Sequence, residues 1–109
     1  MFRVIAGLTL CVGLAATATA QDAKVARGEK LFADQKCAGC HSVGDKGNKK
    51  GPLDSVASKL KAEDIHEWIV DAKGQAAKTK AVRKPEMKAY TLPKEDVEAL
   101  VAYLMTLKK

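Results

Sequence analysis

The chain has 109 residues, enough for one domain and too few for two lobes around a deep interdomain cleft. At 47% hydrophobic but only 5% aromatic, it is too apolar to stay disordered, yet poor in the large side chains that fill a core. A disulfide, metal or cofactor is expected to complete so small a core. Its 19 Lys and Arg against 13 Asp and Glu give +6, which excludes an acidic carrier and suits an acidic partner surface, or simply solubility.

The start reads as an export signal. Met1-Phe2-Arg3 is basic, Val4 to Ala16 is apolar and uncharged, and Ala18-Thr19-Ala20 has the small-x-small pattern of a cleavage site. Residues 1–20 are therefore assigned to a signal peptide and 21–109 to the folded domain. The run from Val4 to Gln21 is rich in Ala, Gly and Thr rather than Leu, and falls short of the roughly 20 strongly apolar residues of a spanning helix. No stable membrane anchor is expected. Leu10 before Cys11 is a poor lipidation context. Loss of Arg3 with the leader leaves 18 basic residues against 13 acidic ones, a net charge of +5.

Asp22 to Lys36 is the first predicted helix, with Asp22 as cap and Val25, Leu31 and Phe32 on its apolar side. Gly28 inside it costs about 1 kcal/mol relative to Ala, so it is either a tolerated surface glycine or a point of close helix approach. Next comes Cys37-Ala38-Gly39-Cys40-His41. With Cys11 in the leader, Cys37 and Cys40 can form one local disulfide, supply half a zinc site, or carry a cofactor. A zinc site lacks a second cysteine pair and the usual histidine spacing. A thioredoxin-type thiol site would follow a strand, and nothing upstream alternates like one. The remaining reading is a c-type haem attachment site. Cys37 and Cys40 would add to the two vinyl groups, and His41 would lie beneath the iron as proximal ligand. Ala38 and Gly39 are small enough to let the backbone lie close to the ring.

Ser42 to Leu53, with its glycines, Pro52, Lys46, Lys49 and Lys50, is a predicted loop. Residues 61–72 form the second predicted helix, opened by Glu63 and Asp64, with Ile65, Trp68, Ile69 and Ala72 at helical spacing. His66 reads as a half-exposed surface histidine. Lys73 to Tyr90 has no strand pattern and contains Met87. The last predicted helix runs from Lys94 to Leu107, with Pro93 at its start and Val97, Leu100, Val101 and Leu104 on one face. Met105 there is a gap-filler. The chain shows no strand, phosphate loop or catalytic triad.

Gly28, Phe32, Cys37-Ala38-Gly39-Cys40-His41, Gly51-Pro52-Leu53, Trp68, Met87, Leu100 and Tyr103 occur in this order over essentially all of residues 21–109. In this the chain resembles the small monohaem class I cytochromes c. The resemblance implies an all-α fold, three main helices plus loops wrapped around one covalently bound haem c. It places the last helix across the first at Gly28. It implies that the Pro52 carbonyl accepts from the second ring nitrogen of His41, that Leu53 and Trp68 contact the haem, and that Met87 is the distal iron ligand. One departure stands out: many members have proline directly after this methionine, whereas here Lys88 follows and Pro85 precedes, which implies a weaker axial bond.

The function implied is a periplasmic one-electron carrier serving redox proteins with acidic docking surfaces; the sequence does not fix the oligomeric state, and a monomer is favoured. Lys36, Lys46, Lys49, Lys50, Lys84 and Lys88 are candidates for its docking rim. Two other classes compete: a haem sensor or small haem enzyme or subunit with a labile distal ligand, and a CxxC thiol–disulfide protein. Nucleic-acid binding is disfavoured because the lysines are spread along the chain without a basic recognition helix.

Overall fold

A computed structural model describes residues 14–109, with side chains described from Ala20 onward. Most of the predicted leader, including Met1 and Cys11, lies outside the described residues. Helix α1 spans Leu14–Asp34. It begins well before the predicted Asp22, because the alanines upstream are strong helix formers and contain no stop signal. It ends shortly before Lys36, whose φ of 59° is left-handed and turns the chain.

A single 3₁₀ turn, Cys37–Gly39, follows. The predicted loop contains a minimal hairpin: β1, Ser42–Val43, pairs antiparallel with β2, Lys46–Gly47. An isolated parallel bridge then joins Ser42 to Pro52. Helix α2, Val56–Lys59, is one turn long. The predicted helix over 61–72 ends at Val70, and an unpredicted helix follows in the polar stretch after it. Helix α3, Ala62–Val70, is opened by Asp64, whose carboxylate accepts from the Lys61 N–H at 3.1 Å. Asp71, at φ −143° and ψ 57°, breaks the helix and caps helix α4, Ala72–Thr79, by accepting from the Gly74 N–H at 3.3 Å. Helix α5 spans Lys94–Leu104, stopping short of the predicted Leu107. The mostly helical fold agrees with the all-α expectation, with two small strands added.

The core lies where α1 and α3 pack on α5. Leu31 and Phe32 come from α1, Ile65 and Ile69 from α3, and Val97, Ala99, Leu100, Tyr103 and Leu104 from α5. Phe32 meets Tyr103 edge to face, with centroids 5.9 Å apart and planes at 67°. Such a pair contributes about 0.5–1.5 kcal/mol beyond its buried area. One turn earlier, Gly28 is buried against α5. A Cβ there would overlap the Ala99 carbonyl and sit 2.7 Å from the Tyr103 Cβ. The close-approach reading of Gly28 is therefore the right one. Beside it, Arg27 donates from Nε at 2.8 Å and from Nη2 at 2.6 Å to one oxygen of Asp96, in the first turn of α5.

In an exposed helix, Gly→Ala gains about 1 kcal/mol. Gly28→Ala should instead lose about 1–3 kcal/mol, because the helices must separate to admit the methyl group. The urea midpoint of the purified protein checks this: it should fall, and a rise would mean that α1 and α5 do not meet at Gly28.

Candidate functional site

The left-handed Lys36 and the 3₁₀ turn fold the motif tightly. The N–H groups of Cys40 and His41 both bond to the Cys37 carbonyl, at 3.1 and 2.9 Å. Asn48 laces the outside of this turn. Its backbone N–H lies 3.0 Å from the Ala38 carbonyl and 3.1 Å from that of His41, and its side-chain amide donates to the Gly39 carbonyl at 3.2 Å. Gly47 makes this fit achievable. It has a φ of +97°, and a Cβ there would overlap the His41 carbonyl.

The turn presents Cys37, Cys40 and His41 to one cleft of about 330 Å³. That volume lies within the roughly 300–1,000 Å³ of cofactor and small-molecule sites. The cleft opens directly into the core: Phe32, Leu100 and Leu104 line it from α1 and α5, and Ile65, Trp68 and Ile69 from α3. Leu53, Val56 and Leu60 contribute from the stretch after the hairpin. Arg83, Met87 and Tyr90 come from the segment between α4 and α5. Of the residues singled out from sequence, Cys37, Cys40, His41, Leu53, Trp68 and Met87 thus meet in one place. His66 and Met105 line a different hollow, with Lys24, Glu63 and Glu98. His66 is exposed, and Met105 packs against the core cluster.

His41 Nδ1 lies 3.1 Å from the carbonyl oxygen of Gly51. A carbonyl only accepts, so Nδ1 carries the proton and Nε2 keeps its lone pair for a ligand. This corrects the expectation for Pro52. The acceptor is the carbonyl before the proline, because Ser42 and the 51–53 stretch pair in register: Ser42 N–H bonds to Gly51 O at 3.0 Å and Leu53 N–H to Ser42 O at 2.8 Å. Burial pushes the His41 imidazole below its usual range. The Gly51 bond opposes that shift and the Arg83 charge adds to it. The outcome favours the neutral ring, the state that can bind a metal. Burial raises the Cys37 thiol, partly offset by a hydrogen bond with Tyr90, and burial and that neighbour raise the Tyr90 hydroxyl in turn.

These residues fit a haem c. The cleft is lined chiefly by apolar side chains, its two thiols are not joined in a disulfide, and it holds an imidazole with Nε2 available and one thioether. Among the described residues, no three His, Cys, Asp or Glu side chains converge as a metal cage, so the thiols lack the further ligands of a zinc site. Gly51, Arg83, Tyr90 and Asn48 are participants that sequence reasoning missed. The Gly-Pro dipeptide pointed within one residue of the true acceptor, but nothing local marked Arg83 or Tyr90.

Residues 25–108 match the cytochrome c family, and the chain belongs to it. Members of this family bind haem c covalently, typically one per chain, and a cytochrome c domain supports haem-based electron transfer. It is 32% identical over 91 residues to cytochrome c oxidase subunit 2 of Alkalihalophilus pseudofirmus. That match covers 75% of this chain but only 25% of the relative, so the chain spans about a quarter of the length of that protein. No solved structure gives a significant match. Among the described residues, no helix is long and apolar enough to cross a membrane.

Gly44 and Gly47 both have positive φ, but a Cβ at Gly44 would meet nothing within 4 Å. Gly47→Ala should therefore destabilise the haem-loaded protein by at least about 1 kcal/mol more than Gly44→Ala, since only it adds overlap to backbone strain. Guanidinium midpoints of the two variants measure the difference, and equal midpoints would show that Gly47 does not brace the motif.

Proposed function

We propose that this chain is an exported one-electron carrier whose haem c is attached through Cys37 and Cys40 and held between His41 and Met87. The observation that carries this reading is the arrival of Met87 in the cleft that contains the CxxCH turn. The haem, when bound, supplies the one-electron Fe(III)/Fe(II) couple. The chain supplies the rest. Cys37 and Cys40 fix the ring covalently, and the Gly51 carbonyl orients the His41 ring. Met87 offers a soft, neutral sulfur that favours the ferrous state. Phe32, Leu53, Trp68 and Leu100 exclude water. A haem held by both His41 and Met87 would take up and give up one electron with little rearrangement, which suits a carrier better than an enzyme or sensor.

Partner recognition rests on charge. Lys36, Lys46, Lys49, Lys50, Lys84 and Lys88 are all exposed. Lys84 is paired with Glu86 at 2.6 Å, and the Lys88 ammonium lies 5.3 Å from the centre of the Tyr90 ring. The stretch from Lys73 to Lys88 carries six basic residues and one acidic one, Glu86, and Val82 within it is 87% exposed. An acidic redox protein with an apolar centre to its docking face complements this surface. The likeness to part of an oxidase subunit supports passage of electrons between this haem and another redox centre.

Met87→Ala should abolish the weak sulfur-to-iron charge-transfer band of the ferric protein and lower its reduction potential, while the haem stays attached. A variant that keeps both would transfer the ligand role elsewhere, with Met105 next to test. The rate of electron transfer to an acidic redox protein should fall as ionic strength rises. A rate that is flat or rising with salt, followed by stopped-flow absorbance, would point to apolar docking instead.

A further inference from the structure

Residues 81–93, between α4 and α5, contain no helix or strand, and Met87 sits near their middle. The residue directly after Met87 is Lys88 rather than a proline, and Pro85 lies two residues before Met87. Few hydrogen bonds tie this segment to the rest of the protein. The Ala81 N–H bonds to Ala76 at the end of α4, at 2.9 Å, and the Lys84–Glu86 pair is internal to the segment. After Met87, the Tyr90 N–H bonds to the Ile69 carbonyl at 2.8 Å. Before Met87, Arg83 reaches across and donates from Nη2 to the Cys40 carbonyl at 2.7 Å. The guanidinium lies so close over Gly51 that a Cβ there would overlap it. Cys40 directly precedes His41, and Gly51 holds the His41 ring. Arg83 thus joins the segment bearing Met87 to the turn bearing His41.

We infer that Arg83 is a positioning residue: it pins the Met87 segment to the Cys40–His41 turn and thereby strengthens the methionine's hold on the sixth iron position. The inference rests on the proposed role of Met87. A flexible segment must lose conformational freedom to bring one side chain to the iron, and a tether on each side removes part of that cost in advance. A charged donor on a backbone carbonyl is a strong tether for its size. With Arg83 removed, the nearest bond to the rest of the protein before Met87 is that of Ala81 to Ala76, so Met87 is held less closely and competes less well with an outside ligand.

Imidazole binding to the ferric haem-loaded protein, followed by the shift of the main haem absorption, tests this as a double-mutant cycle. Arg83→Ala should tighten imidazole binding by about three- to tenfold in the parent protein. In a Met87→Ala background, where no methionine competes, the same change should have no effect. An Arg83→Ala variant that binds imidazole like the parent would overturn the inference. So would an equal gain in both backgrounds, because Arg83 would then act on the iron site without Met87. If Met87→Ala alone leaves imidazole binding unchanged, the Met87 assignment itself fails and takes the inference with it. Should Arg83→Ala lose haem or helix content, Arg83→Lys keeps the charge but lacks the planar fork. The same cycle then applies to it, with a smaller gain expected in the parent and none beside Met87→Ala.

Discussion

Where α1 crosses α5, the backbone of Gly28 lies against the Ala99 carbonyl and the Tyr103 Cβ, closer than any side chain would allow. That approach sets Phe32 against Tyr103 and brings Phe32, Leu100 and Leu104 to the edge of one cleft. It also carries the end of α1 to the place where Lys36 turns left-handed and the CxxCH turn begins. The Arg27–Asp96 pair secures the same crossing from its exposed side. The site is thus built on the helix pair, and the CxxCH turn is an extension of it.

The core and the cleft share residues. Phe32, Ile65, Ile69, Leu100 and Leu104 belong to the hydrophobic cluster and also line the cavity. A chain with 5% aromatic residues has little bulk with which to close such a space. A flat, apolar, covalently held cofactor supplies that bulk, and burial of its faces adds the hydrophobic stabilisation that so small a domain otherwise lacks. Function and folding therefore draw on the same contact. The polar demands of the site are met at its rim, where Gly51 engages His41, Asn48 laces the turn, and Arg83 and Tyr90 tie down the Met87 segment.

Much of this was legible in the sequence, for physical reasons that differ from one element to the next. Helix α5 and the apolar face of α3 follow from strong periodicity. The CxxCH turn follows from the chemistry of its residue types at fixed spacing. Gly28 was legible as an anomaly, a glycine where a helix prefers alanine. The start of α1 was misplaced because Asp22 is a good cap in isolation, while the alanines before it extend the helix at little cost. Helix α4 falls in the polar stretch after Ala72, where no apolar periodicity marks it, although Asp71 followed by Gly74 is a cap pattern. The acceptor for His41 was placed one residue late, because a carbonyl's direction depends on register with Ser42, which is set across the fold. Arg83 left no local trace, since its partner Cys40 lies far away in sequence.

A haem held as proposed would be closed on both faces by this chain's own side chains. Visible spectra of the dithionite-reduced protein at neutral pH, before and after addition of carbon monoxide, address it most directly. A six-coordinate site predicts a low-spin ferrous spectrum that carbon monoxide leaves essentially unchanged. A high-spin ferrous spectrum that converts fully to a carbon monoxide adduct would show the sixth position open, and would contradict a clamp between His41 and Met87.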